Sequence, residues 1–106
     1  QIRVLPVSER FLGYARTVHE RLVAVGLRAT LDTSDERVNA KIRAGADLRI
    51  PYLVVVGGRD EEAGTVSVRK RGIGDLGAQP LEEFVASVEV EVRERRAFES
   101  GTADAD

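Results

Sequence analysis

The sequence has no cysteine and a single histidine, His19. Disulfide bridges, thiolate nucleophiles and cysteine-based zinc sites are thereby excluded, and so is a histidine-rich metal cluster. The lack of cysteine fits a reducing cytosol. No apolar run approaches the roughly 18–20 residues that span a bilayer as a helix, and no charged-then-apolar leader opens the chain. Gln1 stands first and Ile2 already reads as strand, so the chain is expected to be a segment of a longer protein. Its 106 residues are the ordinary size of one domain. A domain of that size buries roughly two-thirds of the surface its unfolded chain exposes, enough to fold without cross-links or metal.

Net charge is −2, but the charges are unevenly placed. Residues 37–71 hold eight basic side chains (Arg37, Lys41, Arg43, Arg49, Arg59, Arg69, Lys70, Arg71) against four acidic ones (Asp47, Asp60, Glu61, Glu62). The tail beyond Ser100 is polar and acidic. A basic stretch on a mildly acidic chain suits a polyanionic partner; on composition alone a solvated, mixed-charge surface is the preferred reading.

Periodicity sets the element order. Ile2–Val7 alternates and is β-branched, a strand ended by Pro6. Ser8 can cap a helix carrying Phe11, Tyr14, Ala15, Val18, Leu22 and Val25 at helical spacing, stopped by Gly26. Leu27–Leu31 reads as a second strand. After the Asp32-Thr33-Ser34-Asp35 turn, a second helix over 35–48 carries Val38 and Ile42 inward and ends before Pro51. Tyr52–Val56 is continuously apolar, as a strand covered on both faces is. Gly57-Gly58 breaks it, residues 60–64 read as a charged turn, and Thr65–Arg71 alternates as a fourth strand. Gly72, Gly74 and Gly77 read as a loop, and Pro80 opens a last helix with Leu81, Phe84, Val85, Val88 and Val92 inward. The order β-α-β-α-β-β-α implies an α/β fold: a mixed, largely parallel sheet of four or five strands flanked by three helices. The domain is expected to span 1–96, with 97–106 a disordered polar tail.

Most of the chemistry-bearing clusters have a plain reading. Gly72–Gly77 matches G-x-G-x-x-G, but no strand follows to supply the acidic residue of a dinucleotide site, so a turn-rich connection is the expectation. His19 reads as a surface or boundary residue, since nothing near it in sequence is a nucleophile it could activate. Asp60, Glu61 and Glu62 are adjacent, whereas paired carboxylate chemistry needs two groups facing across a cleft; a solvated turn is the default. Arg69 and Arg71, two apart on a strand, share a face while Val66 and Val68 point to the core. Lys41 and Arg43 flank Ile42 on a helix and point in different directions.

The segments Lys41-Ile42-Arg43, Ile50-Pro51-Tyr52, Gly64-Thr65-Val66-Ser67-Val68-Arg69-Lys70-Arg71 and Asp75-Leu76-Gly77, in that order, resemble the C-terminal anticodon-binding domain of class II aminoacyl-tRNA synthetases. They look most like the threonyl branch. The resemblance covers residues 1–96 and implies a mixed five-stranded sheet with three helices, reading anticodon bases of a threonine tRNA, of which the second and third, G and U, are informative. Carried over residue by residue, it implies base contacts at Asp35, Arg43, Asp60 and Arg69, with Arg37, Lys41 and Arg71 in phosphate or supporting contacts. Asp35 stands where the family has Asn, Asp60 where it has Glu, and Asn39-Ala40 where it has Gly and an aromatic residue. The segment itself would hold no catalytic centre and no cofactor. The parent would be a cytoplasmic, homodimeric ligase using ATP, threonine and zinc through its catalytic domain. The alternative is a freestanding copy used for protein interaction or dimerisation. The site requires that the start of the second helix, the turn after the central strand and the arginines of the next strand lie side by side.

Overall fold

The computed structural model describes residues 1–104, with side chains through 96. Five strands form one sheet: β1 (Ile2–Pro6), β2 (Ala29–Leu31), β3 (Tyr52–Val56), β4 (Thr65–Lys70) and β5 (Gly74–Pro80). Their spatial order is β2-β1-β3-β4-β5. β1 pairs in parallel with β2 and β3, whereas β3/β4 and β4/β5 are antiparallel. The parallel half comes from the two helical crossovers, and the antiparallel half from the short links 57–64 and 71–73.

One face of the sheet carries the main core. Helices α1 (Leu12–Ala24) and α4 (Leu81–Asp104) lay Ala15, Val18, Leu22, Phe84, Val85 and Val88 on Ile2, Val4, Tyr52, Val54, Val56, Val66 and Val68. A short 3-10 turn, Glu9–Phe11, precedes α1, and the Ser8 side chain makes no capping bond. The rings of Tyr52 and Phe84 meet edge to face at 5.6 Å, and the Tyr52 hydroxyl donates to Glu91 on α4. The expected tail over 97–106 lies beyond the described side chains; the α4 backbone runs helically to Asp104.

The opposite face is covered only in part, by α2 (Val38–Asp47). Gly45 lets this helix approach: a Cβ there would sit 2.5 Å from Leu53 Cδ2. The helix is shorter than the expected 35–48 because residues 32–37 form no regular structure, the Asp32 carboxylate there accepting from the Ser34 N–H at 2.9 Å in a turn. Its end is a Schellman motif. Ile50 N–H donates to Gly45 O and Arg49 N–H to Ala46 O, with Arg49 in the left-handed region at φ 58°.

Two connections differ from expectation. The charged turn over 60–64 is instead a helix, α3 (Gly58–Ala63), which makes four α-helices among the described residues where three were expected. Asp60 folds back to accept from the Gly57 N–H at 3.1 Å, and Gly64 closes it at φ 70°; both stabilise a single turn that periodicity is too short to reveal. The glycine-rich 72–77 stretch is not a loop but the turn and first half of β5. Gly72, at φ 84°, is the third residue of a turn in which Ile73 N–H donates to Lys70 O at 3.0 Å. The register then shifts between Val68 and Arg69, a bulge that leaves Leu76 unpaired.

Candidate nucleic-acid interface

The exposed part of the α2 face is where the predicted residues lie. Pairing places Arg69 opposite Leu53 and Ser67 opposite Val55, so these four side chains share one face, away from the main core. Beside α2 this face opens into a cleft of about 280 Å³. Its floor is apolar, made by Ile42 and Ala46 of α2, Ile50 and Leu53, and its rim is Arg69–Gly74. Ile73, 67% exposed, stands at the rim. Arg69 reaches only a loose contact with Asp75, at 4.0 Å. Arg71 is exposed, with its backbone N–H donating to Pro51 O at 2.8 Å.

The remaining predicted residues occupy other places. On α2, Lys41 and Gly45 face the sheet. Ile42 and Ala46 lie on one side of that stripe and Ala44, Ala40 and Asp47 on the other; a 100° step per residue puts Arg43 on the outer face, nearest to the second group. Arg43 therefore lines a separate cleft of about 420 Å³ with Arg3, Asp32, Ser34 and Glu36. Asp35 lines a third, of about 460 Å³, at the carboxyl ends of β1 and β2 with Pro6, Glu9 and Thr33. Lys41 touches both but is only 2% exposed, and its ammonium donates to Pro6 O at 3.1 Å. Arg37 is exposed at the start of α2. Asp60 is 6% exposed and accepts from Thr65 and Ser67 hydroxyls as well as Gly57. The predicted set is thus arrayed around α2 and the strand ends rather than gathered in one pocket. Arg69 and Arg71 share a cleft with Ile42; Asp35 shares one with Lys41; Arg43 lies on the far flank of the helix. Among the described residues, no ion pair involves Asp35, Arg37, Arg43 or Arg71.

Electrostatics favour a preorganised loop beside α2. Burial works to raise the carboxyl of Asp32, but hydrogen bonding from Ser34, with Lys41 and Arg3 nearby, outweighs it and holds that group below its ordinary value. Burial, then the charges of Asp60 and Glu61, push the Tyr14 phenol up, and its hydroxyl donates to Thr65 O at 2.7 Å. Among the described residues no cluster of three or more potential metal ligands occurs, and no helix is long and apolar enough to cross a membrane.

Sequence reasoning missed the apolar floor and the two hydroxyls on Asp60. Ile42 reads simply as core, and Ile73 lies between glycines with no periodicity to mark it. The Thr65 and Ser67 hydroxyls are five and seven residues from Asp60, a spacing meaningful only once the antiparallel turn is known.

A sheet with one helix-poor face, arginine-rimmed and apolar-floored, has the features of a surface for unstacked bases. A family model described as an anticodon binding domain matches residues 1–91, and the chain belongs to that family. Its relatives include a threonine–tRNA ligase of Thermus thermophilus, 49% identical over 96 residues, covering 91% of this chain and 15% of the relative. That of Carboxydothermus hydrogenoformans is 44% identical, with the same coverage. The chain therefore spans about one-seventh of the length of these curated relatives. Among solved structures, the RNA binding domain of threonyl-tRNA synthetase from Cryptosporidium parvum superposes with a TM-score of 0.81 at 27% identity, covering 85% of this chain and 23% of that one. Histidyl-tRNA synthetase from Nostoc sp. PCC 7120 shares the fold, with a TM-score of 0.79 at 15% identity over 87% of this chain and 22% of that one.

Proposed function

We propose that this chain is the C-terminal anticodon-reading module of a threonine–tRNA ligase. The observation that carries the reading is the cleft between α2 and the β4–β5 turn. Its apolar floor suits the face of a base, and Arg69 beside it can donate to base carbonyls. Arg71 and Arg37 supply attraction to phosphates, which sets affinity more than specificity. Arg43 and Asp35 engage neighbouring nucleotides from the far flank and the start of α2, so the anticodon loop is splayed across the helix. Lys41 contributes from inside, holding the end of β1 against α2. The parent enzyme is a cytoplasmic homodimer whose catalytic domain uses ATP, threonine and zinc.

The chain is expected to bind a threonine-tRNA anticodon stem-loop weakly and in a salt-sensitive manner. Arg69→Ala should weaken that binding by about 1–3 kcal/mol, by analogy with base readout in DNA, as read by fluorescence anisotropy. Unchanged binding in both Arg69→Ala and Arg43→Ala would falsify this assignment.

A further inference from the structure

Cations collect at the end of the molecule where the parallel strands begin. Two adjoining clefts open there. One, of about 180 Å³, lies between the end of α1 and α4, with Val25 and Val92 beside Arg93 and Arg96. The other, of about 350 Å³, is lined by Gln1, Arg28, Val92, Arg95 and Arg96. All four arginines are exposed. Among the described residues, Glu89 alone brings negative charge to either lining. Glu91 lies close by but already accepts from the Tyr52 hydroxyl and stands 3.8 Å from both Lys70 and Arg95; Glu94 is exposed on the same helix.

This patch is continuous with the rim of the cleft beside α2, on the other face of the sheet. Tyr52 N–H donates to Gln1 O at 3.1 Å and Arg71 N–H to Pro51 O at 2.8 Å, so the start of β1 and the rim meet at one end. Lys70 turns its ammonium to the α4 side, 5.4 Å from the centre of the Tyr52 ring, and with Arg95 it flanks Glu91. Positive charge thus runs from Arg71 through Lys70 and Arg95 to Arg28 and Arg96, round the end of the sheet. Direction gives the partner. In a C-terminal module the catalytic domain joins at Gln1. A tRNA whose loop lies in the cleft, and whose far end receives the amino acid at that domain, must carry its stem from the cleft toward Gln1. A stem presents phosphates on both strands, and arginine donates to phosphate whatever the sequence. We infer that Arg28, Arg95 and Arg96 form a phosphate-binding surface for the double-stranded stem, separate from the base-reading cleft. This rests on the anticodon-reading function proposed above.

The test measures binding of this chain by fluorescence anisotropy over a range of salt, with two probes: a hairpin carrying the anticodon loop on a long paired stem, and the loop sequence as a free single strand. Arg95→Ala combined with Arg96→Ala should weaken hairpin binding about tenfold or more and flatten its salt slope by roughly 1.8, taking about 0.9 for each duplex phosphate. Binding of the single strand should change little, and Tm should hold because both side chains are exposed. Exchanging the two bases of every stem pair should leave hairpin affinity as it was. Arg16→Ala combined with Arg59→Ala, two exposed arginines on α1 and α3, controls for lost charge and should move neither probe. Should the α4 pair disturb the fold, Arg28→Ala repeats the comparison from the start of β2. Unaltered hairpin affinity in these variants, with Arg69→Ala still weakening both probes, overturns the stem surface, marks the patch as a seat for the catalytic domain and leaves the anticodon reading standing. Equal losses on hairpin and single strand also overturn it, since the arginines then act on the loop or as bulk charge. An unmodified chain that binds neither probe overturns both readings.

Discussion

Single residues show where this chain departs from the least costly local choice. α1 and α2 end in the same motif. Gly26 occupies the left-handed position after α1, with Gly26 N–H donating to Val23 O and Leu27 N–H to Leu22 O; Arg49 occupies it after α2. A left-handed non-glycine residue costs roughly 1–2 kcal/mol, part of which glycine returns through its more flexible unfolded state. Arg49→Gly is therefore expected to stabilise the chain by about 0.5–1 kcal/mol in urea unfolding. Asp32 shows the electrostatic side. Its carboxyl is held below the ordinary range in the folded chain, so its stabilisation is complete above about pH 4 and is lost as pH falls through the folded value. Asp32→Asn should cost about 2 kcal/mol at pH 7 and markedly less at pH 3, measured by denaturant unfolding at both.

At the scale of elements, the seat of α2 decides the shape of the main cleft. Leu53 is both the contact of Gly45 and part of the cleft floor. Gly45→Val would press Leu53 into the cleft or lift the helix; a loss of about 1–3 kcal/mol is expected from overpacking, checked by urea unfolding. The elements that were legible in the sequence are those with long periodic stripes. α1 announces itself through Ala15, Val18 and Leu22, α4 through Phe84, Val85 and Val88, and β3 through an unbroken apolar run. Those that were not legible are short and held by side-chain bonds. α3 depends on Asp60 reaching back to Gly57, and β5 on Gly72 turning the chain so that Gly74–Pro80, apolar only at Leu76 and Ala78, pairs with β4. The candidate site divides in the same way. Arg69 on the same face as Ser67 follows from strand alternation, whereas Arg71 lies past the end of β4, in the turn. The burial of Lys41, by contrast, comes from the pose of α2 on the sheet, which puts Lys41 rather than Ile42 over Pro6; no pattern of residue types encodes that pose.

For the whole molecule, net charge and function pull in opposite directions. At −2 overall, the chain is not drawn to RNA by its total charge, so attraction must come from the local arginines. The logarithm of affinity for a stem-loop should then fall linearly with the logarithm of salt concentration. With two or three phosphate contacts on single-stranded loop nucleotides the slope is about −1.5 to −2, and Arg71→Ala should reduce it by roughly 0.7. A slope near zero would remove the phosphate role of Arg71 and Arg37.

The bulge at Leu76 reaches beyond its own hairpin. β5 is the outermost strand of the antiparallel half, and a straight border there would offer its amide and carbonyl groups to a second molecule. The irregular register, the proline at position 80 and the glycines at 74 and 77 deny such a visitor a regular ladder. This flank is thus a poor template for a further strand.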